Sequence, residues 1–208
     1  MRKLRKVMYI IGITGGVGGG KTEILEYIKK HYKCEVYLAD QVANAIKEPG
    51  QPCYEALVAL LGKRILLPDG QIDRSAMASL IFTDANLLQK VNELIHPAVQ
   101  DYLLDKMEQA GQNPEIELFF IEAALLVETG YKSILDELWY IHADETVRRN
   151  RLSKSRGYTS DRITQIMEKQ LSEEIFRREC DFIIENNGAL EESYRQIDKK
   201  LAAYTWLE

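Results

Sequence analysis

Cysteine is scarce in this chain, with three in 208 residues, and no two of them stand at C-x-x-C spacing. That rules out a disulfide scaffold and a zinc ribbon, so Cys34, Cys53 and Cys180 read as reduced, mostly buried thiols of a cytosolic protein. A metal site combining them with His31, His96 and His142 has no supporting spacing. A basic surplus is also missing. The net charge of −5 argues against a general nucleic-acid binder, although a local cationic cluster for an anionic small molecule is compatible with it. Long apolar runs are absent too. The stretch LFFIEAALLV carries Glu122 in its middle and cannot span a bilayer. The start MRKLRKVMYIIGIT has basic residues before an apolar run, but the run is too short for a secretory signal, and glycines and Lys21 follow it. Repeats and low-complexity tracts are lacking. These absences lead to the expectation of a soluble cytoplasmic protein with neither a membrane nor a nucleic acid as partner.

What the chain does have is an ordinary globular balance, 46% hydrophobic and 28% charged, enough for one domain with elaborations. Short apolar runs fall at 7–14, 34–40, 116–123, 137–144 and 180–187, rich in β-branched and aromatic residues on consecutive positions. Such runs suit strands covered on both faces. Helical patterns lie between them, for example over Asp161–Arg178, where Ile163, Ile166, Met167 and Leu171 recur behind Thr159 and Ser160 as possible caps. The alternation predicts an α/β fold with a five-stranded parallel sheet flanked by helices. The segment 41–112 has no convincing strand. It contains the turn signal Pro68-Asp69-Gly70 and a helix start near Asp73, and is too long for a simple crossover. It reads as a helical insertion within a single domain covering 1–208.

Five glycines crowd between positions 15 and 20, at a cost in conformational entropy. Gly15-Gly16-Val17-Gly18-Gly19-Gly20-Lys21-Thr22 fits the pattern G-x-x-x-x-G-K-[ST], with a strand ending at Thr14 and a helix running on from Glu23. Backbone N–H groups of such a loop, with the helix N-terminus behind them, cradle phosphate oxygens. Lys21 then reaches the β- and γ-phosphates of ATP, and the Thr22 hydroxyl ligates Mg²⁺. A ligand-free glycine turn is the competing reading, and the match in context speaks against it.

Three further features bear on what happens to the nucleotide. Asp40 falls at the carboxyl end of the second apolar run, where ligands bind in open α/β sheets. It either orients an acceptor hydroxyl and takes its proton or caps a helix. Glu122 ends the third run, either near the Mg²⁺ shell through water or as an ordinary strand-end charge. Arg148, Arg149, Arg151, Lys154, Arg156 and Arg162 cluster in ETVRRNRLSKSRGYTSDR. They read either as a solvated face paired with Glu145 and Glu168 or as a lid over about 146–165, hinged at Arg156-Gly157, and the P-loop favours the lid.

The ordered segments ITGGVGGGKT, LADQVA, LLPDGQIDRSAMASLIF, HP, ALLVE, RLSKSRG and DFIIENNG together resemble the dephospho-CoA kinase family from about Ile10 to Gly188. The resemblance implies a P-loop kinase fold with a helical substrate-binding region and an Arg-rich lid. It also implies ATP-dependent phosphorylation of the ribose 3′-hydroxyl of dephospho-CoA. By position, Asp40 corresponds to the family's base, Arg74 to an arginine near substrate and phosphates, Arg156 to the lid arginine, and Asn187 to an adenine contact. Gly19 stands in place of the usual serine, Leu38 in place of an aspartate, and Ala124 in place of a common proline. The alternatives are a nucleoside or nucleotide kinase on the same fold and a nucleotide-dependent switch. The chain lacks the N-K-x-D motif that guanine-type switches carry.

Overall fold

The computed structural model describes residues 8–124, 126–127 and 131–204. Val7, at the start of the first apolar run, and Leu125 and Glu128 of ALLVE lie outside the described residues, as does the basic start of the chain. In chain order the elements are β1 (Tyr9–Thr14), α1 (Lys21–His31), β2 (Cys34–Leu38), α2 (Ala39–Ala45), α3 (Tyr54–Leu61), α4 (Arg74–Thr83) and α5 (Ala85–Gln112). They continue with β3 (Leu118–Glu122), β4 (Glu137–His142), α6 (Glu145–Arg156), α7 (Ser160–Met167), α8 (Glu173–Glu179), β5 (Phe182–Glu185) and α9 (Leu190–Ala202).

All five apolar runs form strands. They make one parallel sheet in the order β2-β3-β1-β4-β5. Ile11 pairs with Phe120, Ile13 with Trp139, and Tyr140 with Ile183. Leu118–Ile121 of β3 and Leu138–His142 of β4 are buried at every position. This continuous burial, unlike the alternation of a half-exposed strand, is why the runs are apolar throughout. Because the strands are parallel, Thr14, Glu122, His142 and Glu185 all end at the same edge of the sheet, the edge where open α/β sheets bind ligands.

The chain divides into two compact units, Tyr37–Gln109 and the rest of the described chain. The Tyr37–Gln109 unit has its own core, with Leu57, Leu61, Ile65, Val91 and Leu103 almost fully buried. Its Pro68-Asp69-Gly70 turn closes as the sequence predicts, with the Gly70 N–H donating to the Leu67 carbonyl at 2.9 Å. Asp73 caps α4, its carboxylate accepting from the Ser75 and Ala76 N–H groups at 2.8 and 3.1 Å. The Cys53 thiol is buried and donates to the Leu94 carbonyl of α5 at 3.6 Å. His96-Pro97 falls in mid-α5, where Pro97 cannot supply the N–H that would bond the Glu93 carbonyl.

Two boundaries differ from the sequence reading. Asp40 is not a strand end: β2 stops at Leu38, and Asp40 is the second residue of α2. Leu38 occupies the N-cap with no side-chain capping bond, so the acid in the first turn faces the helix dipole instead of capping it. The helix expected over Asp161–Arg178 is two helices. Thr159 caps α7 as expected, but Ser172 accepts from the Ile175 N–H at 3.4 Å and starts α8 anew. Between them Gln170 bonds Arg148, which draws the chain out of helical register.

Candidate active site

The loop from Gly15 to Gly20 leaves β1 and enters α1. Gly20 is the N-cap of α1, with φ at +92°, and a Cβ there would run into the Asn186 amide. Glycine is required on both counts. No side chain caps α1, so the first N–H groups of the helix are left for a ligand.

The loop's carbonyls are held from behind. Arg148 Nε donates to the Val17 carbonyl at 2.9 Å. The Gly19 carbonyl accepts from Asn186 Nδ2 at 2.7 Å and from Arg151 Nη1 at 3.2 Å. In a planar trans peptide the C=O and the next N–H point in opposite directions. Fixing the Val17 and Gly19 carbonyls against α6 and the β5 end therefore turns the Gly18 and Gly20 N–H groups to the opposite side. Arg151 also donates to the Asn186 carbonyl at 2.8 Å, and the Asn186 side chain accepts from Ser193 Oγ at 3.0 Å. Asn186 and Ser193 are both essentially fully buried.

At the front of the loop, Lys21 Nζ donates to the Gly15 carbonyl at 2.9 Å and lies 3.5 Å from Glu122 Oε1. Lys21 and Glu122, 101 residues apart in sequence, meet because β1 and β3 are neighbours in the sheet. Thr22 and Glu23 are exposed in the first turn of α1.

The arginine cluster divides by position. Arg148 and Arg151 brace the loop, whereas Arg149 pairs with Glu145 at 2.7 Å and bonds Thr164 Oγ1 at 3.0 Å. Arg156 is exposed in the last turn of α6 with its guanidinium 5.9 Å from the centre of the Tyr158 ring, and Arg162 sits 4.2 Å over the same ring. Gly157 ends α6 as its C-cap. Asn187 is exposed. Its amide oxygen accepts from the Asp144 N–H at 2.6 Å, and its Nδ2 donates to the Asp144 carboxylate at 3.1 Å. This ties the loop after β5 to the start of α6.

Beside these residues His142, 4% exposed, joins two elements of the same edge. Its Nδ1 is 2.5 Å from Glu185 and its Nε2 is 3.2 Å from Glu173, while Arg177 bonds both glutamates at 3.0 and 2.6 Å. The Arg177 hydrogen bond, aided by His142 and opposed by burial, holds Glu173 below the usual carboxylate range. Asp40 and Arg74 belong to the Tyr37–Gln109 unit, where both are exposed, Asp40 in α2 and Arg74 opening α4.

Sequence reasoning missed Asn186 as a brace of the loop, naming only its neighbour Asn187. Two consecutive asparagines after a strand mark a turn. That one of them is buried against a glycine far back in the chain is a tertiary fact. Asn186→Ala is expected to cost about 1–3 kcal/mol in chemical denaturation and to weaken ATP binding, because the Gly19 carbonyl and the Ser193 hydroxyl lose a buried partner. Unchanged stability and ATP affinity would contradict the bracing role.

The family model described as "CoaE: Dephospho-CoA kinase" matches residues 9–192. Among curated proteins, the "Dephospho-CoA kinase" of Shouchella clausii is 31% identical over 195 residues, covering 92% of this chain and 96% of that one. Among solved structures, TT1252 from Thermus thermophilus superposes with a TM-score of 0.80 at 28% identity, covering 96% of this chain and 99% of that one. The dephospho-CoA kinase from Campylobacter jejuni superposes with a TM-score of 0.69 at 19% identity, covering 93% and 95%, and shares the fold.

Proposed function

This chain belongs to the dephospho-CoA kinase family and phosphorylates dephospho-CoA at the expense of ATP, and on that premise we propose how its own residues carry the transfer. The observation that supports the reading best is the glycine loop, held by its carbonyls while Lys21 and Glu122 stand at its mouth.

The N–H groups of Gly15–Gly20, with Val17 between them, hold the phosphates of ATP, and Lys21, Thr22 and Glu23 continue the site into α1. Lys21 leaves its carbonyl and carboxylate partners for the β- and γ-phosphate oxygens. Asn187 contacts the adenine. The Thr22 hydroxyl and the Glu122 carboxylate are hard oxygen donors of the kind that suit Mg²⁺, Thr22 directly and Glu122 through water. When bound there, the ion neutralises charge on the phosphate oxygens.

Asp40 orients the ribose 3′-hydroxyl of dephospho-CoA. The 3′-oxygen forms a bond to the γ-phosphorus while the bond from that phosphorus to the β,γ-bridging oxygen breaks, its electron pair leaving with ADP. The hydroxyl proton passes to the Asp40 carboxylate. An aspartate, with an ordinary pKa of about 3.9, is a weak base for an alcohol. In a loose transition state the proton leaves late, so positioning counts for more than basicity. Arg74 and Arg156 neutralise charge on the substrate phosphates and the transferring group, Arg156 from the lid. The reaction takes place in the cytoplasm.

Arg156→Ala is expected to lower kcat by about 10²-fold while ATP affinity falls far less, since the guanidinium acts on charge present in the transition state. An unchanged kcat returns Arg156 to a solvated helix face. The reading as a whole is tested by ADP release with and without dephospho-CoA. Release that depends on the acceptor supports it, and release to water at the same rate contradicts it.

A further inference from the structure

An aspartate at a helix N-cap ordinarily turns its carboxylate onto an early N–H of its own helix. Asp144, the N-cap of α6, does not, and no side-chain bond caps that helix. Its Oδ1 instead accepts from Asn187 Nδ2 at 3.1 Å, while its backbone N–H donates to Asn187 Oδ1 at 2.6 Å. His142 Nε2 lies 3.8 Å from the same Oδ1. Among the described residues Asp144 Oδ2 takes no hydrogen bond, and the side chain is 59% exposed. The backbone bond by itself joins the two loops, so the joint leaves the carboxylate unexplained. That bond also settles the Asn187 amide. With its oxygen on the Asp144 N–H, its nitrogen faces the carboxylate and keeps a second hydrogen free. A free donor on Asn187 and a free acceptor on Asp144 thus stand side by side.

Their place relative to the phosphate loop follows from the sheet. Lys21, read above as the partner of the β- and γ-phosphates, stands against Glu122 of β3, on one side of β1. Asp144 and Asn187 follow β4 and β5, on the other side. Asn186 Nδ2 bonds the Gly19 carbonyl at 2.7 Å, so Asn187 is one residue from a brace of the loop itself. A nucleotide with its γ-phosphate at Lys21 therefore carries its base over the ends of β4 and β5. Adenine has an edge that complements the pair found there, with an acceptor ring nitrogen beside a donor amino group.

We propose that the Asp144 carboxylate accepts a hydrogen bond from the 6-amino group of adenine, while Asn187 donates to the ring nitrogen beside that group. The inference rests on the reading of Asn187 as the adenine contact, and it adds Asp144 as a residue that selects the base. An ionised carboxylate can only accept, so a purine with no donor at position 6 loses this bond.

The test is calorimetric titration of the full chain with ATP, with purine riboside 5′-triphosphate, which lacks the 6-amino group, and with inorganic triphosphate. Wild type is compared with Asp144→Ala, Asp144→Ser and Asn187→Ala. Serine is a favoured N-cap with a shorter side chain, so Asp144→Ser keeps the helix start if the Ala variant does not fold. Wild type is expected to bind ATP about tenfold more tightly than the analogue. In both Asp144 variants the two nucleotides are expected to bind alike, at the wild-type constant for the analogue, because the amino group and the carboxylate act as one pair. Inorganic triphosphate is expected to bind all four proteins equally. A wild-type ratio of ATP to analogue affinity that persists in the Asp144 variants overturns the inference, as does equal binding of the two by wild type. In either case, weakening of both nucleotides but not of triphosphate in Asn187→Ala leaves the adenine contact standing. Nucleotide affinities unchanged in Asn187→Ala remove that contact, and the inference with it.

Discussion

Asp40→Asn lowers kcat by about 10²–10⁴-fold while the KM for ATP stays near its wild-type value. That range is what a positioned general base contributes. Asparagine keeps the size of the side chain and one acceptor oxygen, but it cannot take the hydroxyl proton. The fold survives the change. Asp40 is exposed in the first turn of α2, where its charge supports the helix dipole by only about 0.3–1 kcal/mol. A melting temperature close to wild type alongside the lost rate separates catalysis from stability. The position also sets the sign of the KM effect: an acid that acts on the acceptor leaves ATP untouched, whereas a structural cap would alter neither kinetic constant. Near-normal kcat in the variant removes Asp40 from the chemistry and returns it to helix support.

Lys21→Ala has an effect as large, and on both constants. Its ammonium is held at the loop mouth by the Gly15 carbonyl and Glu122, and in the proposed complex it moves to the β/γ-phosphates. Removal of one preorganised charge-stabilising donor costs about 10²–10³ in kcat, and lost ground-state contact with the phosphates weakens ATP binding in addition. Substitution also removes the ammonium beside Glu122, a half-buried carboxylate at the mouth of a loop built to attract anions. Glu122 then repels the nucleotide it formerly helped to admit. Lys21→Arg is not expected to restore activity, because the bulkier planar guanidinium cannot replace a compact point charge between the loop and β3. Measured kcat/KM for ATP within tenfold of wild type in Lys21→Ala would contradict the loop's assignment.

The glycine motif was readable because each of its residues answers a local demand. Gly20 must be left-handed, Lys21 must begin a helix, and the apolar run before them must be a strand. The Pro68-Asp69-Gly70 turn and the Asp73 cap were legible for the same reason, since both are satisfied within a few residues. Elements whose cause lies far along the chain were less so. Helical periodicity runs unbroken from Ile163 to Phe176, and nothing in it announces that Gln170 will bond Arg148 and split the helix. The start of α8 shows only in the structure, where the Ser172 side chain accepts from the Ile175 N–H. Asp40 read as a strand end because Leu38 and Ala39 are apolar, and an apolar pair does not say where extension stops.

The arginines show the limit most clearly. Spacing marked a cationic cluster, and its members turned out to do different things. Arg148 and Arg151 face the loop, Arg149 faces Glu145, and Arg156 faces Tyr158. A helix distributes successive residues about its axis by 100°, so neighbours in sequence are assigned to different faces. Only the packing partner of each face decides which arginine braces the loop, which pairs with a carboxylate and which lies beside a ring. Asn186 and His142 depend on pairs of strand ends that meet only once the sheet has formed.

The most direct test of the central claim is the product formed from ATP, Mg²⁺ and dephospho-CoA, identified by mass and by phosphorus NMR to locate the new ester. Addition of one phosphoryl group at the ribose 3′-oxygen, with one ADP released per product, is the predicted result. Phosphoryl transfer to another position or acceptor, or ADP release with dephospho-CoA recovered unchanged, would contradict the account.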